Sequence, residues 1–306
     1  MGSEMCIRDS AMIARTRRIA TALAFAAVAS STTLSQTQFA RLCGAAMRCR
    51  RPLELKNRTV ILDAPHKVGA GDALAIRGPG AVVGSGHSVF QVGGSARPFG
   101  LRVSGVRLRH VASGDRAEQR ALGACVFARG KGAVALERCA ISSEAGFGVW
   151  LAQRASASLT DCEVAGTGRS AVTLFNDAAL TMDGCRVADA APHGICARGS
   201  TTVTLRRSVV ADAAVRGIYC YLSLAVALHD VVVSGTRDAT AAAIQVEALR
   251  PGDAATLVVD GVGLDDGSRG RGLSVAGNVE MRLVGANDRL GPVDDAPAAA
   301  RPDKAR

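Results

Sequence analysis

The chain has 306 residues, 48% of them hydrophobic and only 3% aromatic, with a net charge of +10. That content can bury a large core, but a compact globule of this size carries more large rings; stacked short strands do without them. The charge is uneven: residues 1–58 hold ten Arg and Lys against three acids, and the rest hold 27 against 24, so +7 lies in the first segment and +3 in the remainder. The excess belongs to the N-terminal segment, and no nucleic-acid partner is expected.

Residues 1–10, "MGSEMCIRDS", resemble translated sequencing-adaptor read-through and stand outside the fold argument. Residues 11–30 contain a basic leader (Arg15, Arg17, Arg18), an apolar run from Ile19 to Ala29, and the small-residue triplet Ala27-Val28-Ala29. This is signal-peptide grammar. A transit peptide or a helix of the domain are the alternatives. The run is too short for an integral membrane span. Localisation stays open between secreted and cytoplasmic.

Residues 31–52 are expected to form a capping helix. Phe39, Leu42, Cys43, Ala46 and Met47 fall on one helical face. A membrane-surface helix is the rival reading.

Residues 53–285 repeat. The pattern apolar-x-x-(Cys/Val/Ser)-x-apolar starts at Leu136, Leu159, Met182, Leu205 and Leu228, each 23 residues after the last. Copies at Val103 and Val259 carry insertions. A second ladder has the same period: Val126, Val149, Val172, Ile195 and Ile218, with Ala128, Leu151, Leu174, Ala197 and Cys220 two residues on. Apolar residues two apart signal strands. One such repeat cannot bury its apolar face alone, but a stack can. Equivalent residues would sit about 4.8 Å apart along parallel sheets. The tail, residues 286–306, is rich in Pro, Ala and charge and is expected to be disordered.

"GVWLAQRASASLTDCEV" and "HGICARGSTTVTLRRSVV" share a Gly-Ile/Val strand, a polar corner and then Leu-x-x-Cys/Ser-x-Val. In these segments the chain resembles the right-handed parallel β-helix of the pectin-lyase-like superfamily, in particular the repeats of carbohydrate-binding proteins and sugar hydrolases. The resemblance implies an all-β solenoid of about nine coils. It leaves function open, because the superfamily holds lyases, hydrolases, epimerases and non-catalytic interaction domains.

Cys139, Cys162 and Cys185 occupy one repeat position, followed by Ser208 and Val231. They read as an inward column of small, reduced side chains. No Cys-x-x-Cys pair supports a metal, so no metal ligands are expected. No cofactor is expected either; calcium enters only under a lyase reading.

Strand alternation turns Phe127, Trp150, Thr173, Cys196 and Tyr219 outward, with Arg129, Ala152, Phe175, Arg198 and Tyr221 two residues beyond. The only Trp, both Tyr and two Phe share this face. Rings interleaved with Arg suit sugar stacking with hydrogen bonds to hydroxyls or carboxylates. The ligand-binding candidates are therefore Phe127, Arg129, Trp150, Phe175, Arg198, Tyr219 and Tyr221. A protein partner, or cover by another part of the chain, are the alternatives.

The corners "VADAAPHGICA" and "VADAAVRGIYC" supply weaker catalytic candidates: Asp189 and Asp212, with His193 and Arg216. Stacked carboxylates beside His and Arg could perform acid/base work on a uronic sugar. Asp in a tight turn also caps its own backbone. The catalytic patterns of the superfamily do not carry over: "GSGHS" lacks the second Gly of the hydrolase segment, and "PHG" at Pro192–Gly194 lacks both Asp residues that flank the epimerase one. The expected function is non-catalytic binding or scaffolding with a glycan as first ligand. The alternatives are a carbohydrate-active enzyme and an intracellular protein-interaction module, and the oligomeric state is open.

Overall fold

A computed structural model describes residues 33–296, except 70, 94–98, 113–122, 223–224, 251, 253, 265–270, 286, 288–289 and 291–292. The adaptor-like segment and the leader lie outside the described residues. Within them, every strand pairing is parallel. From Ala124 to Tyr221 the partners on one sheet stand 23 residues apart: Phe127 beside Trp150, Trp150 beside Thr173, Thr173 beside Cys196, Cys196 beside Tyr219. The sequence repeat is therefore one coil of a solenoid.

Each coil contributes to three sheets. Sheet 1 has ten strands, from His66–Val68 to Val293–Ala296. Sheets 2 and 3 share hydrogen bonds because two 13-residue strands, Ala73–Ser85 and Phe99–Val111, run through both. The described strands make about ten coils, in line with the expected solenoid of about nine. The tenth uses Val293–Ala296, which pairs with Leu273–Ala276, so part of the stretch expected to be disordered adds a strand. A four-residue run, Val-Asp-Asp-Ala, carries too little periodicity to be seen in sequence.

Inward columns of Val, Leu, Ile, Ala and Cys form the core. Val126, Val149, Val172, Ile195, Ile218 and Ile244 are fully buried in line. So are Leu136, Leu159, Met182, Leu205 and Leu228 on sheet 2. Cys139, Cys162 and Cys185 form a third column with Ser208 and Val231. Its members bond along the stack: the Cys162 amide to Cys185 Sγ at 3.4 Å, and the Cys185 amide to Ser208 Oγ at 3.1 Å. All eight described cysteines are free thiols. Burial pushes Cys43 and Cys125 up to about 12.

Corners need left-handed residues. The turn between sheets 3 and 1 places Gly166, Asp189, Asp212 and Gly235 at φ 64, 50, 55 and 64°. This region admits Gly freely and Asp at modest cost. Just beyond it, Gly194 and Gly217 are required by close approach. A Cβ on Gly194 would sit 2.5 Å from Val210 Cγ1 and 2.7 Å from the Gly217 carbonyl oxygen.

Helix α1, Gln36–Cys49, covers the N-terminal end. Ser35 caps it: its side chain accepts from the Gln38 amide while Gln38 bonds back to the Ser35 amide. Phe39 and Cys43 are fully buried, and Phe39 meets His66 edge-on at 5.2 Å. Leu42, Ala46 and Met47 complete the packed face. Among the described residues no helix is long and apolar enough to cross a membrane.

Candidate functional site

The outer face of sheet 1 carries three rows in register. One runs Phe127, Trp150, Thr173, Cys196, Tyr219, Gln245. The second runs Arg129, Ala152, Phe175, Arg198, Tyr221, Glu247. In the third, His193 pairs with Arg216 and Phe147 with Ala124. All seven ligand-binding candidates thus share one face, but they do different things on it.

A groove of about 940 Å³ opens over the middle coils. Phe147, Thr173, Phe175 and His193 line it, with Arg169 and Arg198 at its sides. Phe175 and Arg198 are therefore the two ligand-binding candidates that line it directly. Trp150 stands behind them, half-buried, at 4.9 Å from Phe127, 5.2 Å from Phe147 and 6.0 Å from Phe175. It supports the groove wall. Arg129 is exposed one coil before Ala152, and Tyr221 continues the row one coil past Arg198.

Beyond the groove the face is tied up in its own contacts. The Arg216 guanidinium lies 4.8 Å from the Tyr219 ring centre and donates to Gln245. Gln245 donates to Glu247, and the Tyr219 hydroxyl donates to the same carboxylate at 3.3 Å. Burial raises the Tyr219 phenol, helped by Glu247.

Inside the groove the polar groups are underused. His193 is 7% exposed and Thr173 2%. His193 Nδ1 and Thr173 Oγ1 have no hydrogen-bond partner. Burial, then the positive charges of Arg216 and Arg198, lowers the His193 pKa to about 4, so the ring is neutral at pH 7. A neutral imidazole and a hydroxyl can each donate and accept. The two cations also differ from those outside. Arg169 lies over the Phe147 ring at 5.4 Å, and no described carboxylate pairs with Arg169 or Arg198. Glu144, on the rim, is held by Arg109.

The catalytic candidates are split. His193 enters the groove, and Arg216 sits one coil on in the same register. Asp189 and Asp212 occupy the left-handed corner, away from the lining. Asp189 contacts Arg237 at 3.3 Å, and the Asp212 carboxylate lies across the next corner, 2.4 Å from where a Cβ on Gly235 would be. Among the described residues no group of three His, Cys, Asp or Glu is placed to hold a metal.

Phe147 and Glu144 went unread in sequence. Phe147 was reachable: it precedes His193 by two 23-residue periods and occupies the same outward row. Glu144 belongs to a corner where no periodic signal distinguishes it.

Fold and site together define a right-handed parallel β-helix with an open polar groove on one sheet. The chain belongs to the family described as "Right handed beta helix region", whose family model matches residues 93–277. Among solved structures it is similar to the catalytic domain of Agl-KA, with a TM-score of 0.56 at 11% identity over 83% of this chain. The chain spans 58% of that one's length, and the likeness is one of fold. Further matches are the periplasmic alginate epimerase AlgG (TM-score 0.33, 10% identity, 82% of this chain and 83% of that one) and the Dettilon tailspike protein (0.37, 8%, 84% and 60%). No curated protein sequence matches the chain.

Proposed function

We propose that the protein binds a glycan in the sheet 1 groove without transforming it. The carrying observation is the pair His193 and Thr173: two buried side chains with unpartnered polar atoms lining an open groove. Leaving such groups unsatisfied costs on the order of 1–3 kcal/mol each, and a rotation of either side chain toward the groove would let sugar hydroxyls satisfy it. Phe147 and Phe175 offer apolar faces for sugar rings, and Arg169 and Arg198 would take a carboxylate in fork geometry. Among the described lining residues the one carboxylate, Glu144, is ion-paired with Arg109. The fold is shared with a catalytic domain, but the groove chemistry favours binding.

The test is a glycan array with intact protein and the variants His193→Ala and Phe175→Ala. Retention of uronic-acid-containing chains should fall in both variants while their thermal transitions stay cooperative. Unchanged retention would reject the groove as the site. Release of shortened or unsaturated products by the intact protein would reject the non-catalytic reading.

A further inference from the structure

A second groove, of about 1130 Å³, lies on another face, between the C-terminal end of α1 and the outer surface of sheet 2. Its floor is small. Ala73, Gly100, Ala133, Ser156 and Ala179 form one outward row in register, and Ala75, Arg102, Ala135, Ser158 and Thr181 form the next. Five coils span roughly 19 Å at the spacing of adjacent strands.

Five arginines border this floor: Arg48, Arg50 and Arg51 from the helix end, Arg77 and Arg102 from successive coils. All five are exposed, and none joins an ion pair among the described residues. The one acid in the lining, Asp72, accepts from the Gly69 amide at 3.0 Å. Glu54 lies beside Arg77 in register and Glu137 one coil beyond Ser104, where it pairs with Arg138. The negative end of the helix dipole accounts for basic residues at Arg48, Arg50 and Arg51. It does not account for Arg77 and Arg102, which reach the same groove from strands.

We propose that this groove holds a linear anionic glycan, its carboxylates or sulfates held by the arginine fork. Five unpaired guanidiniums around one floor attract such a chain and can bind each acidic group through two hydrogen bonds. The Ala, Gly and Ser floor lets an extended chain lie close to the sheet. Single-stranded nucleic acid fits less well, because among the described lining residues there is no aromatic ring on which bases could stack. The site stands apart from the sheet 1 groove: different sheet, different chemistry.

The experiment uses the full chain carrying Phe175→Ala and Arg198→Ala, which silences the sheet 1 groove. Fluorescence anisotropy follows labelled heparin oligosaccharide, labelled oligogalacturonate and a labelled single-stranded DNA of equal charge. Adding Arg77→Ser and Arg102→Ser should weaken both glycans by roughly tenfold or more. Arg48→Ser with Arg51→Ser should do the same. Arg107→Ser with Arg186→Ser removes equal charge from sheet 3 and should leave binding within about a factor of two, as expected for charge at a distance in salt. Equal losses in groove and control variants would reduce the effect to net charge and overturn the proposal. So would absence of glycan binding before the groove is altered, or DNA bound as tightly as the glycans.

Discussion

His193 and Tyr219 pack ring against ring, centroids 5.2 Å apart, although one belongs to the groove lining and the other to the next coil. The Arg216 guanidinium, the register neighbour of His193, lies 4.8 Å from the Tyr219 ring centre. The contact couples a free polar group in the groove to a fully bonded network outside it. It also keeps the imidazole against an apolar surface beside positive charge, which is why the ring resists protonation.

That resistance has a pH signature. His193 titrates near 6.5 in the unfolded chain and at about 4 in the fold. Its contribution to stability is therefore complete above pH 6.5 and is lost as pH falls from 6.5 through 4. His66 and His110 are lowered as well, chiefly by burial, and act in the same direction. Urea midpoints should fall between pH 7 and pH 4.5, and His193→Gln should shrink that fall. Glycan retention should stay level from pH 7 to pH 5, because the ring remains neutral there. A midpoint drop unaltered by His193→Gln would show that the ring is not protected.

Trp150 and Phe175 separate support from contact. Trp150 touches three phenylalanine rings and is half-buried. Trp150→Ala should cost roughly 1–3 kcal/mol of stability, less than truncation of a fully buried Trp. Phe175→Ala removes a ring from the lining and should weaken glycan binding roughly tenfold with a smaller stability loss. Thermal melts and titrations of the two variants side by side check the split.

The cysteine column predicts selective reactivity. Cys125, Cys139, Cys162, Cys185, Cys196 and Cys220 are buried, as is Cys43, and among the described thiols only Cys49 is exposed. A thiol reagent applied to native protein should label Cys49 and leave the other seven until urea is added. Peptide mapping after labelling reads this directly. Cys162→Ser should cost about 1 kcal/mol or less, since Ser208 already fills an equivalent position.

The solenoid and its inward columns were legible because a fixed 23-residue period imposes the same packing problem on every coil. Val126 and Ile218 have equivalent surroundings, so the sequence repeats their type. The groove was legible only in part. Outward positions such as His193, Arg216 and Phe147 share a register but no common packing demand, so their types diverge and the row hides. The arginine groove was illegible for another reason. Arg48, Arg50 and Arg51 precede the repeat, and Arg77 and Arg102 lie in coils whose paired residues stand 27 apart, Ala75 beside Arg102 and Arg77 beside Ser104, off the period. Composition assigned the charge of Arg48, Arg50 and Arg51 to the N-terminal segment, but the end of the helix borders the same groove as Arg77 and Arg102.

The two corners "VADAAPHGICA" and "VADAAVRGIYC" offer a final contrast between conformation and chemistry. At Asp189 the backbone is left-handed, φ 50°, and the carboxylate is exposed beside an exposed Arg237. Such a surface pair contributes little, so Asp189→Asn should leave stability within about 0.5 kcal/mol and glycan binding unchanged. Asp189→Val should cost roughly 1–2 kcal/mol, because a β-branched residue tolerates this region poorly. Five residues on, Gly194→Ala drives a methyl group to 2.5 Å from Val210 Cγ1 and 2.7 Å from the Gly217 oxygen. Neither can yield cheaply, one being a buried side chain and the other backbone, so the change should cost roughly 1–3 kcal/mol. Urea denaturation of the three variants orders them: Asn near the parent, Val and Ala well below. Loss of glycan turnover in a stable Asp189→Asn protein would instead make this corner part of an active site.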